Sequence, residues 1–264
     1  MNALIGYTGF VGSTLLKQSK FDQLFRSTNI ADIEGQHFDI IVCAGAPGQK
    51  WLANSHPDKD LQIIEKLMEH LKKTTCDKFI LISTVDVFLN PVAVDENSQV
   101  EEAGLNPYGL HRRQLELFAM KQFCDHLIVR LPGLVGPGLR KNIIFDMLND
   151  NDVSKIDSRS CFQFYPMVNL WYDIQTALNA NLSLVHLTAE PVSVCEVSKN
   201  GFCKVLNTKL DVKPANYDMR SIHSQLYNPG TQPSNYQYDA KSTFQAVRSY
   251  AQSENKTLRN TSGN

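Results

Sequence analysis

Four residues in the first half of the chain bear side chains that can share a proton-transfer step: the adjacent hydroxyls Ser83 and Thr84, and a phenol and a guanidinium four positions apart, Tyr108 and Arg112. Positions i and i+4 of a helix lie on one face, so the cation would stand beside the phenol. A phenol of pKa roughly 10 needs about 4 kcal/mol of differential stabilisation to ionise at pH 7. A neighbouring guanidinium supplies part of that. Each residue also has a plainer use. Ser or Thr at a strand end commonly bonds backbone, and Tyr near a helix start commonly packs amphipathically. His111, directly before the arginine, reads as a partly exposed neighbour. Whether these groups do chemistry depends on what brings them together.

The elements that must do so are legible. Phe79-Ile80-Leu81-Ile82 predicts a buried strand over 78–83 that delivers a hydroxyl at its carboxyl end. Asn106-Pro107 precedes the tyrosine, and Pro suits the first helical position; a helix over 107–123 follows, with Leu110, Leu115, Phe118 and Ala119 facing inward. At the amino end, the apolar residues 2–5 run into Gly6, Gly9 and Gly12, after which helical spacing continues over 10–20. That is strand, tight turn, helix. Gly6 allows the turn, Gly9 lets backbone approach a diphosphate, and Gly12 lets the helix lie close on the strand. The free N–H groups and positive end of the helix would face the anion. The spacing is G-x-x-G-x-x-G; an ordinary loop is the competing account, and position directly after the first strand favours the dinucleotide.

Further strands are expected at 23–26, 38–43 and 127–131, with a helix over 57–73 carrying Leu61, Ile64, Leu67, Met68 and Leu71 on one face. The 38–43 strand ends in the small residues Ala44-Gly45-Ala46-Pro47-Gly48. Strands alternating with amphipathic helices predict an α/β doubly wound parallel sheet, the Rossmann fold, over 1–135. After Pro132 comes a loop of Gly133, Gly136, Pro137 and Gly138. A helix over 141–149, a strand over 161–167, a helix over 170–180, an extended run 184–187 and helices over 194–205 and 242–252 are expected beyond it. These make a small mixed C-terminal substrate lobe, 136–254, able to return elements to the first domain, before a flexible tail at 255–264.

Composition narrows the ligand. The 264 residues carry 26 Lys plus Arg against 27 Asp plus Glu, a formal net charge of −1, so no overall field recruits nucleic acid or an anionic membrane. A small-molecule substrate is expected. Six cysteines, at 43, 76, 124, 161, 195 and 203, include no C-x-x-C pair and no zinc spacing; reduced, buried thiols and no metal are the expectation. No basic leader and no apolar run near the ~18 residues of a membrane span is present, which predicts a cytoplasmic protein.

In order and spacing, Gly6-Tyr7-Thr8-Gly9-Phe10-Val11-Gly12, Ala44-Gly45-Ala46, Ile82-Ser83-Thr84-Val85-Asp86-Val87-Phe88, Asn106-Pro107-Tyr108-Gly109 and residues 130–138 resemble the extended short-chain dehydrogenase/reductase family, in its NAD-dependent epimerase/dehydratase group. The abbreviated second strand and the Ser-Thr-x-x-Val-Phe run look most like the sugar-nucleotide reductases. The resemblance covers residues 2 to about 150. It implies a nicotinamide cofactor held by Gly6, Thr8, Gly9, Phe10, Val11, Gly12, Ala44, Gly45, Ala46 and Pro132, with Tyr108 and Arg112 at the nicotinamide end. It implies a catalytic hydroxyl at Thr84 beside Ser83, Tyr108 as general acid or base, Arg112 where the family has Lys, substrate contacts at Asp86 and Asn142, and a homodimer.

The acidic residue that takes the adenosine ribose 2′-hydroxyl is expected about 20 positions after the first glycine. Arg26 and Ser27 stand there, so NADP(H) is expected over NAD(H), against the alternative of a solvated arginine on an edge strand. The implied function is an NAD(P)-dependent oxidoreductase or epimerase acting on a nucleotide-linked keto-sugar. The alternative is a non-catalytic NADP(H)-binding sensor of the same fold.

Overall fold

The computed structural model describes residues 1–230 and 232–256. Its first half consists of β1 (Asn2–Ile5), α1 (Phe10–Gln18), β2 (Gln23–Phe25), β3 (His37–Cys43), α2 (Lys50–Ser55), α3 (Pro57–Leu71), β4 (Thr75–Thr84), β5 (Val92–Val94), α4 (Pro107–Gln122) and β6 (His126–Leu131). The second half adds β7 (Gly133–Val135), α5 (Ile143–Leu148), β8 (Cys161–Phe162), β9 (Phe164–Pro166), α6 (Leu170–Asn179), β10 (Leu184–His186), β11 (Val192–Ser193), α7 (Val194–Phe202), β12 (Asp218–Met219) and α8 (Ala240–Ser253). Six strands form one parallel sheet in the order β10-β6-β4-β3-β1-β2.

Alternate residues of each strand face opposite sides, and the strands are apolar on both. Ala3, Ile5, Ile41, Cys43, Phe79 and Leu81 pack on Ile64, Leu67 and Leu71 of α3 and on Leu115 and Ala119 of α4. On the other face Leu4, Val42, Ile80 and Val129 pack on Leu15 of α1 and on Leu170, Ile174 and Ala177 of α6. The doubly wound parallel sheet is therefore as expected. A third cluster, including Val135, Ile144, Phe164, Val197, Val247 and Tyr250, forms the core of the mixed lobe. β10 and α6, both beyond residue 135, belong to the sheet and its face, while β7–β9, β8–β11 and β5–β12 make short separate pairs.

Several expectations are corrected. Residues 50–55, for which the sequence suggested no element, form the short helix α2. Residues 133–135 are strand, not loop, because β9 lies alongside to pair with them. The strand expected over 161–167 is two pieces divided by Gln163. Its buried amide donates to Thr188 Oγ1 and the Ala189 and Met219 carbonyls and accepts from Met219 N, cross-linking three segments instead of continuing a ladder. Only Cys43 is buried among the six free thiols; Cys124, Cys195 and Cys203 are exposed, following α4 and within or capping α7. Among the described residues no helix is long and apolar enough to cross a membrane. Most of the tail expected over 255–264 lies outside the described residues.

Candidate active site

The sheet reverses its winding between β1 and β3, and in such sheets ligands bind at the carboxyl ends of the strands at that point. Gly6 and Ala44 stand there, one at the end of each strand. Gly6 has φ +82°, and a Cβ on it would lie 2.3 Å from the Ala44 carbonyl oxygen. A Cβ on Gly12 would lie 2.2 Å from the Gly6 carbonyl oxygen, so α1 sits directly on the turn. Gly9 is the N-cap of α1 and supplies no side-chain acceptor to its leading N–H groups, and a Cβ there would meet only Gly6 O, at 3.4 Å. Thr8 and Gly9 are exposed, with Phe10 and Val11 half-buried beside them. An open, uncapped helix start against a tightly packed glycine turn fits a diphosphate.

A backbone bond from Gly6 N to Phe25 O (2.8 Å) sets the end of β2 beside the turn. Arg26 and Ser27 follow, both exposed; Arg26 Nε donates to Thr28 Oγ1 at 2.9 Å. Arg26 therefore stands exposed beside the glycine turn.

Thr84 ends β4, with Oγ1 accepting from Asp86 N at 3.2 Å, and its side chain lies near enough to the Tyr108 phenol to act on its ionisation. Tyr108 lies in the first turn of α4, where Asn106 is the N-cap and Pro107 opens the helix. Its N–H donates to Asn54 Oδ1 of α2 at 3.0 Å. One turn on, the Arg112 guanidinium carbon stacks 4.0 Å from the centroid of the Tyr108 ring. Arg112 is 3% exposed and tied by Nη2 to Asp60 Oδ1 at 2.9 Å, by Nη1 to Asp60 Oδ2, and by Nη2 to the Pro47 carbonyl. His111 Nδ1 reaches Asp60 Oδ2 at 2.7 Å and is buried, not the partly exposed neighbour expected from its position. Burial pushes the Asp60 carboxyl up, but hydrogen bonds from Arg112 and His111 outweigh it and hold the group below the usual carboxylate range. The Tyr108 phenol is raised above its ordinary value, chiefly by burial; Arg112, Thr84 and Lys50 act downward and Asp86 upward.

Ser83 does not join this group. Neighbouring strand residues point to opposite faces, so only one of the two hydroxyls can meet Tyr108. Ser83 Oγ instead donates to buried Glu116 Oε1 at 2.6 Å. Glu116 also accepts from Arg130 Nε (2.9 Å) and Nη2 (2.8 Å) and from Arg113 Nη1 (2.9 Å), an ion network beneath the site. Asn142 is likewise occupied by the fold: at φ 99° it caps α5, accepting from Ile144 N at 2.9 Å and donating to Leu134 O at 2.9 Å. Pro132 is buried after β6.

Asp86 Oδ1 accepts from Lys50 Nζ of α2 at 2.7 Å and from the Tyr217 hydroxyl at 3.2 Å. Tyr217 is carried in by the lobe and stacks on Phe162 with ring centroids 5.5 Å apart. Lys141 Nζ bonds the Gly48 carbonyl, and burial, then the nearby Arg112 charge, lower its pKa. Sequence reading missed Lys50, Asp60, Glu116 and Tyr217. Two left a trace: Asp60 falls in the stripe of Ile64, Leu67 and Leu71, and Glu116 falls one turn after Arg112 on the buried face of α4. A carboxylate inside an apolar stripe needs a buried cation. Lys50 and Tyr217 left none, being brought in by a turn and a segment without periodic pattern.

No protein-family model and no curated protein matches the sequence. Solved structures do match in fold. RMD from Pseudomonas aeruginosa, complexed with NADPH, is 16% identical with a TM-score of 0.67, over 96% of this chain and 99% of that one. A dTDP-4-dehydrorhamnose reductase from Clostridium acetobutylicum is 16% identical with a TM-score of 0.68, over 96% and 99%. The UDP-glucose 4-epimerase of Thermotoga maritima, with UDP-glucose, is 14% identical with a TM-score of 0.69, over 96% and 98%. At such identities the shared property is the fold, a Rossmann-type parallel sheet flanked by helices.

Proposed function

We propose that the chain is an NADP(H)-dependent oxidoreductase or epimerase acting on a keto-sugar linked to a nucleotide. The observation that carries this reading is the Thr84 side chain beside the Tyr108 phenol, whose ring stacks on Arg112, at the carboxyl end of β4 beside an uncapped glycine turn. Those two side chains meet in space from positions 24 apart in sequence, and a pure binder has no chemical need of them. The likeness to solved reductases and epimerases, one holding NADPH and another UDP-glucose, supports the same reading.

The uncapped start of α1 would hold the diphosphate, Arg26 with Ser27 the ribose 2′-phosphate, and the loop at Ala44, Gly45 and Ala46 the neighbouring ribose. A bound nicotinamide supplies hydride chemistry. In this chain Thr84 hydrogen-bonds the carbonyl oxygen and Tyr108 exchanges a proton with it. Asp86, held by Lys50 and Tyr217, stands where the lobe meets the sheet and is assigned to the sugar hydroxyls.

NADPH uptake is measured by calorimetry, and oxidation by absorbance at 340 nm against a panel of nucleotide-linked keto-sugars. Tyr108→Phe is expected to lower kcat by about 100-fold or more with NADPH affinity changed less than about twofold; full turnover in that variant removes the assignment. The tie between Arg112 and Asp60 favours one second reading, an NADP(H) sensor. It predicts tight NADPH binding with no oxidation across the panel.

A further inference from the structure

Arg112 stands one helical turn after Tyr108, where a cation favours the phenolate, and here that cation has another partner. Arg112 gives both terminal nitrogens to the Asp60 carboxylate and one also to the Pro47 carbonyl, and its plane lies over the Tyr108 ring face. Asp60 is itself buried and held from its other side by His111. A guanidinium paired by two hydrogen bonds presents the phenol with a dipole, not a free unit charge, and its field falls accordingly. Asp86, whose carboxylate is bound to Lys50 and Tyr217 and bears on the phenol electrostatically, belongs to the turn packed on the start of α4. The turn holding Asp86 packs so tightly on the start of α4 that a Cβ on Gly109, the residue after Tyr108, would lie 2.1 Å from the Asp86 carbonyl oxygen.

Resting on the reading above, we infer that Asp60 and Asp86 are positioning residues that keep Tyr108 as a neutral phenol, so that the site is built to reduce a carbonyl and not to epimerise an alcohol. In reduction the carbonyl carbon takes up a hydride, with its two electrons, from the reduced dinucleotide. The Tyr108 O–H bond breaks as the new alcohol O–H bond forms, and the phenolate regains its proton from water. An epimerase works first in the other direction: it removes a proton from a hydroxyl and needs the phenolate at the outset. The groups bearing on the phenol are Arg112 of α4, Thr84 of β4, Asp86 of the following turn and Lys50 of α2. Lys50 is bound to Asp86, so this cation too arrives with a counter-ion. Burial acts upward on the phenol, then Arg112 downward and Asp86 upward, with Thr84 and Lys50 downward, and the net direction is upward.

The test follows Tyr108 itself. Tyrosinate absorbance near 295 nm is recorded in stopped-flow pH jumps of the full chain, and the wild-type curve minus that of Tyr108→Phe isolates one phenol. The expected midpoint lies above the ordinary value of roughly 10. Asp86→Asn should bring it down by about one pH unit, a tenfold change in ionisation constant. Asp60→Asn should act in the same sense, and the Asp86 variant keeps the test whole if Asp60→Asn does not fold. A wild-type midpoint below roughly 8, or no downward movement in Asp86→Asn, overturns the inference. Calorimetry separates the two failures: Tyr108 ionising near neutrality with NADPH still bound sinks the reductive assignment alone, and no NADPH uptake sinks the cofactor reading.

Discussion

At the scale of single residues, function in this chain turns on which partner each charge finds. Thr84 and Tyr108 stood out in the sequence through the family resemblance, since a hydroxyl at a strand end and a tyrosine near a helix start each have a plainer use. Ser83 was not separable from Thr84 until the strand's facing was known; it then proved to belong to Glu116. Arg112 was correctly placed on the tyrosine's face, but its counter-ion Asp60 comes from another helix, 52 residues away in sequence. Arg26 is the residue whose role is simplest to isolate, since among the described residues its one side-chain hydrogen bond is to the Thr28 hydroxyl on its own turn. Arg26→Ala should weaken NADPH binding about tenfold or more, on the order of the 1.5–3 kcal/mol of a hydrogen bond to a charged group, and leave NADH binding unchanged. Equal affinities of the variant and wild type for NADPH would dispose of the 2′-phosphate assignment.

At the scale of elements, the glycine turn separates packing from ligand approach. Gly12→Ala sets a Cβ 2.2 Å from backbone that cannot yield without moving α1 off β1, and a loss of about 1–3 kcal/mol is expected from such overpacking. Gly9→Ala sets its Cβ at an ordinary 3.4 Å, at φ −76°, where any residue is comfortable. It should leave the urea midpoint within a few tenths of a molar of wild type while weakening NADPH binding, because the new methyl stands where the diphosphate would rest. If Gly12→Ala alone weakens binding, or Gly9→Ala alone unfolds the protein, the two roles have been misassigned. The spacing of these glycines was plain in the sequence. The helix α2 was not, being six residues long and held by Asn54 on Tyr108 N and Lys50 on Asp86 and not by any periodic apolar face.

At the scale of the whole molecule, the lobe is bolted to the sheet through Asp173 of α6. Its Oδ2 accepts from Tyr165 of β9 at 2.5 Å and from Tyr238 at 2.7 Å, and Tyr227 donates to its carbonyl at 3.4 Å. Its other carboxyl oxygen is buried with no hydrogen-bond partner among the described residues. Burial pushes the carboxyl up from 3.8 to about 6, the two phenols pulling it partly back. A raised acid binds its proton more tightly folded than unfolded, so the stability it contributes is fully present below about pH 4. It is lost as pH rises through about 6 and amounts to at most about 3 kcal/mol. The difference in unfolding free energy between wild type and Asp173→Asn should therefore shrink between pH 4 and pH 7. A difference independent of pH across that window would show that Asp173 is ionised in the fold throughout.

Local pattern determined the alternation of strands and helices, the glycine turn after β1, and the pairing of a phenol with a cation one helical turn away. Each of these is written within a dozen residues, where alternation of faces, helical periodicity and glycine's conformational freedom act directly on the chain. Which hydroxyl meets the phenol, which carboxylate holds the guanidinium, and the arrival of Lys50 and Tyr217 at Asp86 were decided only in three dimensions. These contacts join segments 24 to 131 residues apart. Buried charges take whichever partner the packing of the sheet leaves within reach, and that partner is not spelled out in the residues around them.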